Sequence, residues 1–253
     1  MMLRLVRADL HLHTCLSPCG ELEMTPQAIV RTCQERKIDM IAVCDHNSAE
    51  NVRGVRKAAE GTGVAVLAGM EVTSAEEVHV LAIFDEVDRA TALQEIVYEH
   101  LVPGENDEDL FGIQIVANER DEVDGIVKRL LIGGTTLSLE DLITRIHAIG
   151  GLAIASHIDR ESFSLVGQLG MIPENLPVDA LEVSPLGDVN DIKSRIVGAE
   201  RFPLITSSDA HRLDEIGKAI TTFYLSELTV KELAMAFQNQ EGRKMFDWER
   251  SSC

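Results

Sequence analysis

Basic residues are scarce in this 253-residue chain: 23 Lys and Arg stand against 42 Asp and Glu, a formal charge of −19. An acidic excess of that size disfavours a nucleic-acid scaffold or a protein held at an anionic membrane surface, because phosphate backbones and lipid headgroups repel it at long range. It leaves room for a small phosphorylated substrate, since metal cations gathered at one place reverse the local potential. Long apolar runs are missing too. None approaches the roughly 20 residues that span a bilayer. The opening MMLRLVRADLHLH lacks a signal-peptide pattern, so a cytoplasmic location and no membrane partner are expected. The five cysteines (Cys15, Cys19, Cys33, Cys44 and Cys253) form an odd set, read as cytosolic thiols rather than a disulfide framework. Internal repeats and low-complexity tracts are absent as well.

What is present points to one large α/β domain, with 45% apolar residues to fill its core. Three β-branched runs read as buried strands: LRLVRA before Asp9, IDMIAVC before Asp45 and VAVLAGMEV through Glu71. Thr25 and Pro26 mark a helix start between the first two, and a second helix is expected from about Ala49 to Gly61. Such alternation implies a parallel sheet. VHVLAIF adds a strand. Residues 85–137 read as an inserted, mainly helical sub-lobe, with helices around Thr91 to Leu101 and Asp121 to Leu131. A capping box at Ser138 and Asp141 opens the helix SLEDLITRIHAIGG, which closes on Gly150 and Gly151. The strands LAIASH, VDALEVS, FPLITSSDAH and AITTFYL follow, and Thr229 to Glu232 caps a last helix.

Metal-binding heads sit at the ends of these runs: Asp9, His11 and His13; Asp45 and His46; Glu71; His157; and Asp209 with His211. In a parallel barrel all strand C-terminal ends share one rim, so these residues would converge there. Imidazoles mixed with carboxylates suit zinc, manganese or iron(II) better than calcium. His11 and His13, two apart in a strand, would share a face, and Asp209 and His211 repeat that spacing. Glu71 lies among apolar residues, where an unpaired charge is costly, and its two oxygens suit a bridge between ions.

The stretches Asp9-Leu-His11-Leu-His13-Thr14, Asp45-His46-Asn47, the region of Glu71 and His79, and Ser208-Asp209-Ala210-His211 together resemble the PHP (polymerase and histidinol phosphatase) domain family, in order and spacing, almost from end to end. The resemblance implies a distorted (β/α)7 barrel with a trinuclear metal site and phosphoester hydrolysis through a metal-bridging water. It implies one ion on His11, His13, Glu71 and Asp209, a second on Glu71, His79 and His157, and a third on His46 and His211 with a ligand from the loop after the first motif. Glu71, Asp209 and His211 are then the expected catalytic residues.

That loop reads Cys15-Leu-Ser-Pro-Cys19-Gly20, where family members often place Asp or His, so Cys19 is either a third-ion ligand or a simple loop thiol. Ser156-His157-Ile158 stands where a His-Pro pair is more usual. For His79 and His157 a buried packing histidine is the alternative to the ligand role. His100 and His147 are expected on helices away from the centre, and Cys15, Cys33 and Cys44 in packing roles. Asp9 and Asp45 would orient the adjacent rings. Arg160, three residues after His157, and Arg212, next to His211, would clamp a substrate phosphate, or else form solvated ion pairs. Two rival functions are a PHP-type nuclease or exonuclease, which the acidic surface disfavours, and a non-catalytic metal-binding regulatory module. Specificity is expected from the sub-lobe and loops such as Leu165 to Pro177.

Overall fold

The computed structural model describes residues 2–187, 189–246 and 249–250, which leaves Cys253 outside the described residues. In chain order the elements are β1 (Arg4–Leu12), α1 (Pro26–Glu35), β2 (Met40–Val43), α2 (Val52–Ala58), β3 (Ala65–Thr73), β4 (His79–Phe84), α3 (Val87–His100), α4 (Glu108–Phe111), β5 (Ile115–Ala117) and β6 (Val123–Ile126). Then come α5 (Leu139–Ile149), β7 (Leu152–Ala155), α6 (Leu165–Leu169), β8 (Ala180–Val183), α7 (Val189–Arg195), β9 (Leu204–Thr206), β10 (Ala219–Leu225), α8 (Val230–Phe237), β11 (Lys244–Met245) and β12 (Glu249–Arg250). Among the described residues no helix is long and apolar enough to cross a membrane.

One sheet runs in the order β11-β10-β1-β2-β3-β4-β7-β8-β9. The expected strands all form, but the sheet is mixed rather than parallel. Pairs β1–β2, β2–β3, β7–β8 and β8–β9 are parallel, whereas β4 is antiparallel to both β3 and β7. The reason lies in Ser74 to Val78, a tight turn closed by Ser74 N–H donating to Val78 O and Glu77 N–H to Ser74 O, too short to hold the crossover helix that a parallel partner needs. The sheet curls until β9 returns beside β10. There Thr206 N–H donates to Thr221 Oγ1, which donates back to Thr206 O, both at 2.9 Å.

Leu67 on β3, Leu81 on β4, Ile154 on β7 and Ala180 on β8 fill the inside of the curl, which Leu233 and Phe237 of α8 plug. A larger apolar layer packs α1, α2, α3 and α5 against the outside. Both terminal signals of α5 act as the sequence predicts. Ser138 Oγ accepts from Asp141 N–H, and Gly150 takes the left-handed conformation with φ 85°.

The inserted sub-lobe departs from expectation. Helix α3 belongs to the apolar layer outside the curled sheet through Ala90, Leu93 and Val97. Residues 121–131 form no helix. Val123–Ile126 pairs instead with Ile115–Ala117 in an antiparallel hairpin, turned by Asn118, whose Oδ1 accepts from Arg120 and Glu122 N–H while Asp121 sits at φ 62°. Side-chain capture of backbone amides at Asn118 and the β-branched flanks outweigh the helical pattern.

Candidate metal centre

Nine side chains meet at one rim of the curl: His11, His13, His46, Glu71, His79, His157, Glu182, Asp209 and His211. Glu71 stands two residues past Gly69 and four past Leu67, on the face that lines the interior, and Glu182 stands likewise two past Ala180. A register shift between Asp9 and Leu12 interrupts the β1–β2 ladder before Leu12 pairs with Val43, and there His11 and His13 bring their Nε2 atoms within 3.1 Å of each other. His157 and Asp209 follow β7 and β9 in left-handed backbone, with φ 27° and 49°. Non-glycine residues held there are strained, as is common where a site dictates geometry. His79 reaches the same rim from the other chain direction. It opens β4 and pairs with Thr73 at the end of β3, so the antiparallel turn delivers it where a strand C-terminus would otherwise be.

The two oxygens of Glu71 face different partners. Oε1 is 3.0 Å from His79 Nδ1 and 3.1 Å from His157 Nε2. Oε2 is 3.2 Å from His46 Nδ1 and 3.5 Å from the Nε2 atoms of both His11 and His13. Asp209 Oδ1 adds contacts of 3.3 Å to His11 and 3.1 Å to His13. His211 stacks on His13 with ring centroids 4.1 Å apart.

Charges are held to match. Burial would raise Glu71, but His79, His11 and His46 keep its carboxyl well below the ordinary range; burial likewise opposes Asp209, which His11 and His13 hold down. Burial would lower His11, and Glu182, Asp209 and Glu71 outweigh it, holding the ring well above its usual value. His13 falls to about 4 through burial and the nearby His211, and burial drives His46 well below normal. The carboxylates thus stay anionic while His13 and His46 resist protonation and His11 draws positive charge to itself, an arrangement that cations would complete.

The donor set fits metal on a second count. Nδ1 of His46, His79 and His157 is buried without a hydrogen-bond partner, even though two of these atoms lie within 3.2 Å of Glu71 at angles that make no bond. Buried polar atoms are seldom left so. Three groupings place ligand atoms within 4.8 Å of one another: His11, His13 and Glu71; His46, Glu71 and His79; and His13, Cys19, His46 and His211. His79 and His157 are therefore not satisfied packing histidines.

Glu182 is a functional candidate that the sequence reading missed. It is buried, and its Oε2 lies 3.0 Å from His11 Nδ1 and accepts His157 N–H at 3.1 Å. Its signal was the one noted at Glu71, a lone carboxylate inside an apolar strand. Ser17 Oγ, 2.8 Å from His13 Nδ1, is a second such partner.

Asp9 and Asp45 bond backbone rather than rings. Asp9 accepts from Ser208 and Gly217 N–H, and Asp45 from Thr14 N–H and Oγ1, so they hold the loops carrying Asp209 and following His13. Buried charge has cheaper partners there, two amides or an amide and a hydroxyl, than a crowded imidazole.

Arg160 lies on the centre, its Nη2 2.6 Å from Asp209 Oδ2. Arg212 instead pairs with Asp214 and Glu215 at the surface. His100 bonds Ile96 O and His147 bonds Asp179, both away from the centre. A chamber of about 220 Å³, walled by Phe163, Ile132 and the cluster, opens above Glu71. Beside it runs a groove of about 1510 Å³ between the 158–167 and 184–196 segments. Phe163 stacks on His79 with centroids 4.8 Å apart and accepts His79 N–H through its carbonyl.

Comparison with known proteins agrees with this geometry. The sequence matches the PHP domain over residues 9–128 and the PHP-associated family over residues 190–241. His11 to His79 fall in the first span and Asp209 with His211 in the second. The uncharacterized protein YqxK of Bacillus subtilis is 30% identical over 110 residues, which are 42% of this chain and 28% of that protein. In fold, the chain is similar to the lesion-specific endonuclease PfuEndoQ from Pyrococcus furiosus, with TM-score 0.66 and 18% identity over 96% of this chain and 58% of that one. An Endonuclease Q complex with a 27-mer duplex carrying an abasic lesion at its active site gives TM-score 0.70 and 19% identity, over 95% of this chain and 58% of the other. A candidate metal-dependent phosphoesterase from Bifidobacterium adolescentis gives 0.57 and 17%, covering 91% and 94%. The chain thus spans little more than half of the endonucleases and under a third of YqxK.

Proposed function

Because this chain carries a PHP domain, we propose that it is a metal-dependent phosphoesterase, acting on a small phosphorylated metabolite or nucleotide at a di- or trinuclear centre in a distorted (β/α)7 barrel. One observation carries the reading: Glu71 turns one oxygen toward His79 and His157 and the other toward His11, His13 and His46. A carboxylate so divided suits a bridge between two cations. His11, His13 and Asp209 would complete one side, His79 and His157 the other, while His46 and His211 would hold a third ion.

Zinc, manganese or iron(II) bound there would activate an attacking water and neutralise charge on the phosphoryl and leaving oxygens. The protein's own part is to keep donors oriented. Glu182 and Ser17 fix the outward nitrogens of His11 and His13, so that each presents Nε2 to the centre. Arg160 is partly exposed on Asp209 and positioned to meet a nonbridging oxygen of the substrate. Phe163 and Ile132 narrow the chamber and limit water. Glu71, Asp209 and His211 are the residues on which turnover depends most.

A nuclease reading has the endonuclease fold in its favour. The groove weighs against it: six acidic residues (Glu21, Asp159, Glu161, Asp191, Asp209 and Glu215) line it against Arg160, Arg195, Arg212 and Lys218. A polyanionic strand would be repelled where a single phosphate at the centre would not. The test is anaerobic metal analysis followed by assay, with each metal restored, on phosphomonoesters, phosphodiesters, nucleotides and oligonucleotides with and without an abasic site. Turnover confined to small phosphoesters supports the proposal, cleavage of oligonucleotides alone replaces it with the nuclease, and a metal-loaded but inert protein makes the domain a regulatory module.

A further inference from the structure

Cys19 differs from the other described cysteines. Cys15 and Cys44 donate to the carbonyls of Ile115 and Leu10, and Cys33 lies in the outer core. Cys19 sits at the surface end of the cluster, its Sγ within 4.8 Å of ligand atoms of His13, His46 and His211.

The loop that carries it is tied to those same three histidines. Ser17 Oγ lies 2.8 Å from His13 Nδ1 and accepts His46 N–H at 3.1 Å. Glu21 N–H donates to His211 O at 2.9 Å. Cys19 is bracketed between these anchors. Gly20 turns the chain against Thr14 O so tightly that a Cβ would come within 2.4 Å of that oxygen, and Gly20 N–H donates to Ser17 O.

Two of the imidazoles keep a nitrogen that a cation could take. His211 Nδ1 lies 2.8 Å from the carbonyl of Asp209, an acceptor only, so Nδ1 is the donor there and Nε2 is the nitrogen left for a cation. His46 is buried, and its Nδ1 has no hydrogen-bond partner. An anchored thiol among such rings makes a mixed sulfur and nitrogen donor set.

We infer that Cys19 supplies a thiolate ligand to the third cation site, with His46 and His211, making that site selective for a zinc-class ion over manganese or magnesium. The inference rests on the metal-centre reading above. Soft thiolate donors prefer zinc and similar borderline ions to hard oxygen-seeking ones. The Glu71 sites lack sulfur, so the centre would be heterogeneous, with one position chemically distinct from the others.

The test uses the full chain stripped of metal and loaded with cobalt(II) under argon. Wild type should develop a near-ultraviolet thiolate-to-cobalt charge-transfer band beside its visible d–d bands. Cys19→Ser should lose that band and one equivalent of cobalt, keeping the rest. Cys19→Asp should keep the stoichiometry, lack the band, and shift the zinc-over-manganese preference toward manganese by about tenfold or more. Cobalt uptake with no charge-transfer band in wild type, or a band unchanged in both variants, overturns the thiolate assignment and leaves the rest of the centre standing. Wild type that takes up no cobalt, zinc or manganese overturns the whole metal-centre reading and this inference with it.

Discussion

One oxygen of Glu182, Oε2, lies 3.0 Å from Nδ1 of His11 and also accepts the backbone N–H of His157. It therefore orients one imidazole directly and holds the turn that presents another. Replacing it by Gln removes the anion and keeps the shape. Glu182→Gln should weaken metal binding by about 10–100-fold without unfolding the protein, as loss of such partners does at metal sites. Competitive zinc titration against a chromophoric chelator checks this, and unchanged affinity would take Glu182 out of the centre.

Glu71 has the larger effect. Glu71→Gln leaves His79, His157 and Oε2's partners in place but halves the donor capacity of the bridge. Turnover on the best phosphoester should fall by about 100-fold or more. Steady-state kinetics at matched metal content decides, since near-wild-type turnover with full metal would refute the bridging role.

Metal removal should be visible in stability. Ions that bind only the folded chain add RT ln(1 + [L]/Kd), about 2.7 kcal/mol at a hundredfold excess over Kd. For a chain of this length that raises the melting temperature by about 5–10 °C. Calorimetry of stripped and reconstituted protein gives the difference, and a melting point indifferent to metal argues against the cluster as a binding site.

Acid stability should track a pair remote from the centre. Arg243 holds Glu232 at about 2, against the partial opposition of burial and with help from Ser226 N–H and Oγ. A carboxyl depressed on folding contributes fully above its unfolded value near 4.5 and loses that contribution as pH falls through about 2. Glu232→Gln should therefore cost about 2 kcal/mol at neutral pH, a gap that closes progressively between about pH 4.5 and 2. Urea melts across that range measure it, and a gap constant with pH would show that the charge is immaterial.

Much of this molecule was legible beforehand because its strands are short, apolar and punctuated by the donors themselves. His11, His13, His46, Glu71, His79, His157, Asp209 and His211 all reach one rim, as their places at strand ends imply. Strand direction was not legible. Period-2 burial looks the same whichever way a strand runs, and only the shortness of Ser74 to Val78 distinguished a hairpin from a crossover. Residues 121–131 misled because a charged stretch with scattered apolar positions fits a helix as well as a hairpin, until Asn118 captures its neighbours' amides. Glu182 was passed over because VDALEVS lies outside the family motifs and sets no imidazole beside its carboxylate, and Asp9 and Asp45 were assigned to rings because sequence adjacency says nothing of which way a carboxylate turns.

Thr206 and Thr221 fasten the two margins of the curled sheet through one hydroxyl used twice, where every neighbouring junction is a backbone ladder. The join of β9 to β10 is thus lighter than a strand ladder, and the segment bearing Asp209 and His211 is fastened to β1 instead, His13 N–H donating to Ala210 O and Ser208 N–H to Asp9 Oδ1. A slip along that join would leave Asp209 aligned with His11 and His13, because its loop is tied to β1 rather than to β10.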